Sequence, residues 1–454
     1  MDFKTVEKII EHADPQINRG LKISREEYIK RWRAVQAAMK EKGYDLCYAC
    51  GSELDRSDIA WLVGIFDPII ERYGILIPAV GEPVVVAGSE GGYVIEDCLK
   101  ASGLRVVLLQ EYQISDEDYR FAEFERLEEV IFRMIPFRQG KKIKIAILSS
   151  GQFLPHDHLT MFQGRFGADN VVFDVNLLQR LKYEKSPTEL EIMAAANRIA
   201  DAAFLGMLSS LSPGVRELDV AAVGEYIIRA LGGRRCGFPT IVSSGPRGRS
   251  VLGPATNRVI EKGEFVSMGI SPTFNGYHGI MRRTVKVGEE LAPEEKVFLE
   301  ALEGLYHTVM KAVKEASEKK LPSSYIDRKG KEYLKKTELR DRKGRMLSPR
   351  EPYTFIHNTG CSECQEGFGA VTPYSEEPLG ENVALMIDVA LMGFDSEGEL
   401  VFPVEYAVIE DGFWKRAKEV GVYNRMPLNV QDFVSQKICK IPEEKVNPYF
   451  KAFS

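Results

Sequence analysis

The chain has 454 residues, 44% of them hydrophobic and 28% charged, the balance of a globular protein long enough for two domains. A formal net charge of −6 offers no footprint for nucleic acid, and no apolar run reaches the ~18 residues a membrane helix needs. Seven cysteines, odd in number and widely spread, point to reduced thiols in a cytoplasm.

The opening Met1-Asp2-Phe3-Lys4-Thr5-Val6-Glu7 is polar, unlike a secretory signal, and residues 1–24 read as a lead-in helix and linker. Ser24-Arg25-Glu26-Glu27 carries a capping-box signature for a helix to about Lys42. Apolar runs and helical stretches then alternate: Asp45–Cys50, Tyr73–Pro78, Pro83–Ala87, Val94–Ala101, Val106–Leu109, Phe121–Ile135 and Ile143–Leu148. That alternation predicts an α/β layer domain over 1–178. Two Cys-x-x-Cys pairs occur, Cys47/Cys50 and Cys361/Cys364. The first lies in a strand-like run, where residues three apart face opposite sides, which disfavours a shared zinc site.

A second domain is expected over 179–454. Ser186 is a good N-cap, Pro187 suits a first helical turn and Glu189 closes a capping box. The helix runs to about Ser209, Ser212-Pro213-Gly214 turns the chain, and another helix covers Glu217–Leu231. A strand at Pro239–Ser244 and a loop at Gly245-Pro246-Arg247-Gly248-Arg249 follow. Next come two strands, Phe265–Ile270 and Tyr277–Val287, joined by a Pro/Asn/Gly turn. Helices are predicted near Pro293–Ala316 and Ser323–Lys336; the basic run Lys329 to Arg345 reads as a solvated face.

Within this hairpin Gly276-Tyr277, five residues, then Arg283-Thr284-Val285 resembles the creatinase/aminopeptidase P/prolidase superfamily, the pita-bread fold. The entry Leu178-Gln179-Arg180-Leu181-Lys182 through Glu191 is similar to that family's passage into its second domain. The resemblance implies a creatinase-like N-terminal α/β domain followed by a pita-bread α+β domain, with Ile59–Gly64 as a strand of the first. It also implies a homodimer, with residues 413–454 extending past the usual end of the fold, onto the partner subunit.

The peptidases of this superfamily bind two metal ions through Asp, Asp, His, Glu and Glu, a donor set suited to hard divalent ions that activate water. Aligned on that pattern, the two Asp positions are Gly269 and Ile280, and neither can bind a metal. Cys361 takes the His slot, with His357 retained four residues earlier; Asp388 and Glu405 take the two Glu positions. The substrate-side His falls at Leu252. A metal pair is therefore not expected, and the cofactor reading is none, with one divalent ion at Cys361, Asp388 and Glu405 as the lesser option. Creatinase has the same fold, works without metal and also lacks acids at both Asp positions. It uses a catalytic His near Leu252, and a Glu where this chain has Arg282, so creatine itself is not the expected substrate.

Without metal, Asp388 and Glu405 would repel. Strand alternation puts Arg282 on the face of Ile280 and Arg283 on the other, so Arg282 is the expected counter-ion in a mixed-charge pocket. His357 reads as general acid/base or as a hydrogen-bonded loop histidine. His278 is a substitute base or a plain strand residue. Cys361 is a nucleophile or a small buried thiol. Glu363, Arg72 and Tyr277 are candidate substrate contacts, with Glu363 equally a rim residue and Arg72 equally a surface one. The resulting order of functions puts first a metal-independent, creatinase-like hydrolase of a C–N bond in a small polar molecule. A non-catalytic pseudo-peptidase that binds a ligand or partner comes second, and an Xaa-Pro-type metallopeptidase with an atypical single metal third. The expected partners are a small-molecule ligand and a second copy of the chain, with no nucleic acid and no membrane.

Overall fold

The computed structural model describes residues 3–64, 66–68, 71–113, 119–120, 122–135, 142–364 and 366–453. They form two compact units. The first comprises 22–184 and 360–368; the second comprises 1–21, 185–359 and 369–454. Where the sequence suggests one cut after residue 178, the chain crosses more than once. The leading helix α1 (Phe3–Ala13) belongs to the second unit. The segment after His357 belongs to the first, because its Glu366 carboxylate closes on the buried ammonium of Lys182 at 3.0 Å.

In the first unit, α2 (Arg25–Lys42) begins where the Ser24 hydroxyl accepts the Glu27 N–H at 3.3 Å. It stops at Gly43, whose φ of 71° is a left-handed cap. There follow β1 (Leu46–Gly51), α3 (Ser57–Val63), β2 (Tyr73–Pro78), β3 (Val84–Ala87), α4 (Ser89–Ser102) and β4 (Val106–Leu108). Then come α5 (Leu127–Met134), β5 (Ile145–Ile147), α6 (His156–Phe166), β6 (Val171–Phe173) and α7 (Val175–Tyr183). The six strands run in the order β4-β3-β2-β1-β5-β6, antiparallel at β1–β2 and β2–β3 and parallel elsewhere. Leu46, Tyr48, Val86, Val130, Ile147 and Phe162 fill the core. Residue 121 of the predicted Phe121–Ile135 helix lies outside the described residues.

Ile59–Gly64, expected as a strand, is instead the body of α3. A short apolar run buried on all sides carries no period by which to tell helix from strand. Here Gly64, at φ 82°, returns its N–H to Ala60 O at 2.9 Å and closes a helix.

The second unit starts its long α8 (Pro187–Ser210) with the capping box read from sequence: Glu189 N to Ser186 Oγ 3.2 Å, Ser186 N to Glu189 Oε2 2.8 Å. After α9 (Glu217–Ala230) come β7 (Ile241–Ser244), β8 (Phe265–Ile270), β9 (Thr273–Phe274), β10 (Tyr277–His278) and β11 (Met281–Lys286). Asn275 and Gly276, at φ 45° and 82°, make the tight turn of β9–β10. The predicted Tyr277–Val287 strand is thus two pieces, and only β11 joins the main sheet. Next are α10 (Pro293–Lys319), α11 (Ser324–Lys336), β12 (Leu339–Arg340), β13 (Met346–Leu347), β14 (Ile356–Asn358), β15 (Asn382–Met392), β16 (Tyr406–Arg416) and β17 (Glu419–Val422). The sheet order is β14-β15-β16-β11-β8-β7, with β17 on β16, and every pairing is antiparallel.

Residues 413–453 help to complete this unit. They supply the end of β16, all of β17, and the buried Asn424 and Asn447. Asn424 Nδ2 donates to Ile280 O at 3.0 Å and Asn447 Nδ2 to Asp411 Oδ2 at 3.1 Å. No helix among the described residues is long and apolar enough to cross a membrane.

Candidate active site

Antiparallel pairing lines up four residues in one row across adjacent strands. Gly269 of β8 faces Arg282 of β11, Arg282 faces Glu410 of β16, and Glu410 faces Asp388 of β15. Directly opposed residues share a face of the sheet, so this row is the floor of a site. Arg282, Glu410 and Asp388 are each at most 6% exposed. The guanidinium Nη1 donates to Glu410 Oε2 at 3.1 Å and to Asp388 Oδ2 at 3.4 Å. Arg283, one residue on, turns to the other face and pairs with buried Asp411 at 2.9 Å.

Gly269 makes room for this arrangement. A Cβ built on it would stand 2.6 Å from Arg282 Cγ and 3.1 Å from Cδ, so the arginine stem lies over the glycine. The side chain thus fills the space above Gly269 with its own positive charge. Ile280 is fully buried, and its N–H goes to Asn197 Oδ1 at 3.1 Å.

His357 enters from β14 with Nε2 at 3.4 Å from Glu410 Oε1. That oxygen is buried and, among the described residues, makes no hydrogen bond. Tyr353 OH donates to Asp388 Oδ1 at 2.8 Å and meets Tyr406 OH at 2.6 Å, while Tyr406 OH accepts from Arg282 Nη2 at 3.0 Å. The same Nη2 donates to Val251 O at 2.7 Å, tying a loop to the row. That loop is anchored by the buried Glu217 carboxylate, which accepts from Ser244 N (2.9 Å), Ser244 Oγ (2.7 Å), Thr256 N (3.0 Å) and Thr256 Oγ1 (2.7 Å).

Burial, and then the neighbouring Glu410, push the Asp388 carboxyl up to about 7, against the opposing pull of Arg282 and His357. Two buried carboxylates with one guanidinium relieve their repulsion partly by ion pairing and partly by holding a proton.

Of the residues named from sequence, Glu405, His278 and Tyr277 are not in this group. Glu405 is not the last ligand position: it precedes β16, half-exposed, with its Cβ 3.6 Å from a Cβ built on Gly248. The strand register puts Glu410 opposite Asp388 instead. His278 is buried in the β9–β10 ribbon opposite Thr273, cut off from β11 by Gly279 and Ile280. Tyr277 turns to α8, its OH on Glu189 Oε1 at 3.0 Å, and is structural. Cys361 and Glu363 are buried in the segment that packs with the first unit, and Arg72 is an exposed residue of that unit. A metal on Cys361, Asp388 and Glu405 is therefore not the geometry found. Sequence reasoning misses Tyr353, Tyr406 and Glu410. The alternation Tyr406, Val408, Glu410 on one face of β16 is the signal that could have found two of them.

The pita-bread family implies a metal pair, and the residues here fit one ion but not two. His357 Nε2 and carboxylate oxygens of Asp388 and Glu410 lie within 4.8 Å of one another. One imidazole nitrogen and two carboxylate oxygens suit a first-row divalent ion, and the orphaned Glu410 Oε1 has an unused lone pair. The Arg282 guanidinium already bonds an oxygen of each of these two carboxylates.

An N-terminal creatinase-like α/β domain and a C-terminal pita-bread domain define a two-domain class that includes the prolidases. Residues 191–411 match the family model for metallopeptidase family M24, and the chain belongs to the superfamily of creatinase, prolidase and aminopeptidase P. It is 26% identical over 309 residues to an Xaa-Pro dipeptidase of Pyrococcus furiosus, spanning 66% of this chain and 79% of the relative. It is also 26% identical over 375 residues to a probable dipeptidase PepE of Mycobacterium bovis, spanning 81% and 84%. The fold matches the crystal structure of the prolidase from Pyrococcus horikoshii with a TM-score of 0.66 at 18% identity, covering 87% of this chain and 97% of that one. These likenesses overturn the first-ranked sequence reading: the relatives are named dipeptidases, so a metal-independent creatinase-like hydrolase is set aside.

Proposed function

We propose that the chain hydrolyses short peptides of the Xaa-Pro type at a one-ion version of the prolidase site, with His357, Asp388 and Glu410 holding the ion. The observation that carries this reading is the buried, unbonded Glu410 Oε1 set 3.4 Å from His357 Nε2 in the same row as Asp388. A divalent ion, when bound, supplies Lewis-acid polarisation of a peptide carbonyl.

The chain's own residues supply the rest. Arg282 offsets one of the two carboxylate charges and, through Nη2, holds the Val251 turn in place. Tyr353 OH donates to Asp388 Oδ1 and keeps that oxygen oriented. Asp388, whose carboxyl is raised to about 7 in the ion-free chain, gives up its proton when the ion binds, because only the carboxylate is a ligand.

A second reading, peptide recognition without hydrolysis, is favoured by Arg282 itself, which already gives the carboxylate pair an internal cation. The test is an Xaa-Pro dipeptide panel assayed with manganese, cobalt, zinc and iron, alongside calorimetric binding of the same dipeptides. Ion-dependent hydrolysis abolished in Glu410→Gln supports the first reading. Binding with no turnover under any ion supports the second, and neither binding nor turnover overturns both.

A further inference from the structure

A cavity lies in the same unit, lined by α1, α8 and the C-terminal segment and having no residue in common with the row on the sheet. Its volume is about 260 Å³. Two helices give it matching stripes: Ile9, His12, Ala13 and Gln16 from the start of the chain, and Arg198, Asp201, Ala202 and Leu205 from α8. The α8 stripe is i, i+3, i+4, i+7, one helix face, and Ile9, His12 and Ala13 are the matching face of α1, with Gln16 in the 3-10 turn that follows it. The small Ala13 and Ala202 leave the seam open. Cys439, Lys440 and Ile441 close the third side with Arg425 and Glu443.

The charges in its wall are not balanced. Arg425 is committed, its Nη2 on Glu443 Oε1 at 2.6 Å and its guanidinium 4.8 Å over the Phe450 ring. Both Asp201 oxygens are occupied, Oδ2 by the Arg425 backbone N–H at 2.7 Å and Oδ1 by Asn424 Nδ2 at 3.3 Å. Arg198 is half-buried, and its one described hydrogen bond is a long one, Nη1 to Gln16 O at 3.5 Å. A partly desolvated guanidinium with so little hydrogen bonding is a costly state that an anion relieves. Lys440 adds a second positive charge on the same wall, and Ile9, Ala13, Ala202, Leu205 and Ile441 supply apolar surface beside it.

We propose that this cavity binds a small monocarboxylate with an apolar body, its carboxylate on Arg198 and Lys440 and its body between α1 and α8. The volume lies just under the ~300–1,000 Å³ of clefts that take drug-sized ligands, so the ligand is small. The site is separate from the one read as peptidase, and either reading stands if the other fails.

Titration calorimetry of the full chain with 3-phenylpropionate, its neutral amide and inorganic phosphate tests it. The acid is expected to bind about tenfold or more tightly than the amide, the factor of a charge-assisted hydrogen bond. Phosphate is expected to bind more weakly than the acid, because it cannot fill the apolar half. Arg198→Gln is expected to weaken the acid by a similar factor. Should that variant fail to fold, alkylation of the wild-type chain by iodoacetamide gives a second readout. There the acid slows modification of Cys439 in the cavity wall and leaves the exposed Cys364 unaffected. Equal binding of acid and amide, phosphate as tight as the acid, no heat at about 10 mM acid, an unaltered Arg198→Gln variant, or unslowed alkylation of Cys439 would each overturn the proposal.

Discussion

Gly269 and Arg282 are a matched pair: they face each other across β8 and β11, and the arginine stem occupies the space a Cβ on the glycine would need. Gly269→Ala therefore forces the Arg282 side chain off its two carboxylates. A loss of about 1–3 kcal/mol is expected from overpacking alone, read by chemical denaturation. In the double variant with Arg282→Ser the alanine's cost should largely vanish, a coupling that a double-mutant cycle measures. Independent, additive effects would show that the two positions do not interact.

Arg282→Met leaves Asp388 and Glu410 facing each other in a buried row without their cation. Removing one partner of a buried ion pair typically costs about 3–5 kcal/mol. The same variant should take up divalent ions more tightly, because the guanidinium no longer competes for Asp388 Oδ2 and Glu410 Oε2. Metal content after dialysis against manganese or zinc reads this directly. A variant as stable as the parent and with no greater ion content would refute the charge argument.

Two glutamates compete for the last acidic position, and the register separates them. Glu410→Gln should lower dipeptide hydrolysis by about 100-fold, because it removes one of the three groups that hold the ion. Glu405→Gln should leave it near the parent value, since Glu405 lies outside the row. The opposite ranking of kcat/KM would mean that β15 and β16 pair in another register in solution.

The first unit carries its own acid sensitivity. Burial lowers His158 to about 4, and its Nδ1 stands 3.1 Å from Tyr48 OH. The unfolded chain takes up that proton near pH ~6.5, so the folded state binds fewer protons between that pH and about 4. Stability is then fully present above the unfolded pKa and falls as pH drops through this window, by ~3 kcal/mol at most for this group. Denaturation curves from about pH 7 to about pH 4 should be flatter for His158→Gln than for the parent. Parallel curves would mean that His158 is charged when folded.

Local chemistry makes much of the second unit legible in the amino-acid sequence. Ser186, Pro187 and Glu189 announce the start of α8 through short-range capping, and the Asn275-Gly276 turn announces the β9–β10 ribbon. Alternation alone sends Arg282 and Arg283 to opposite faces. Ile59–Gly64 defeats the same reasoning, because an apolar run buried on every side has no polar face to show its period.

What the amino-acid sequence determined by itself, then, was the identity of the parts: two α/β-type domains in their order, the capped start of α8 and the superfamily. Only the tertiary structure decided which residues meet. The β15–β16 hairpin closes over about a dozen residues whose conformation no short motif dictates, so its register, and with it Glu410 rather than Glu405 opposite Asp388, is settled by long-range packing. The same holds for Arg282 lying over Gly269 and for α1 packing on α8. Such contacts join residues far apart in the chain, and their free energy exists only once the whole sheet and its helices have assembled.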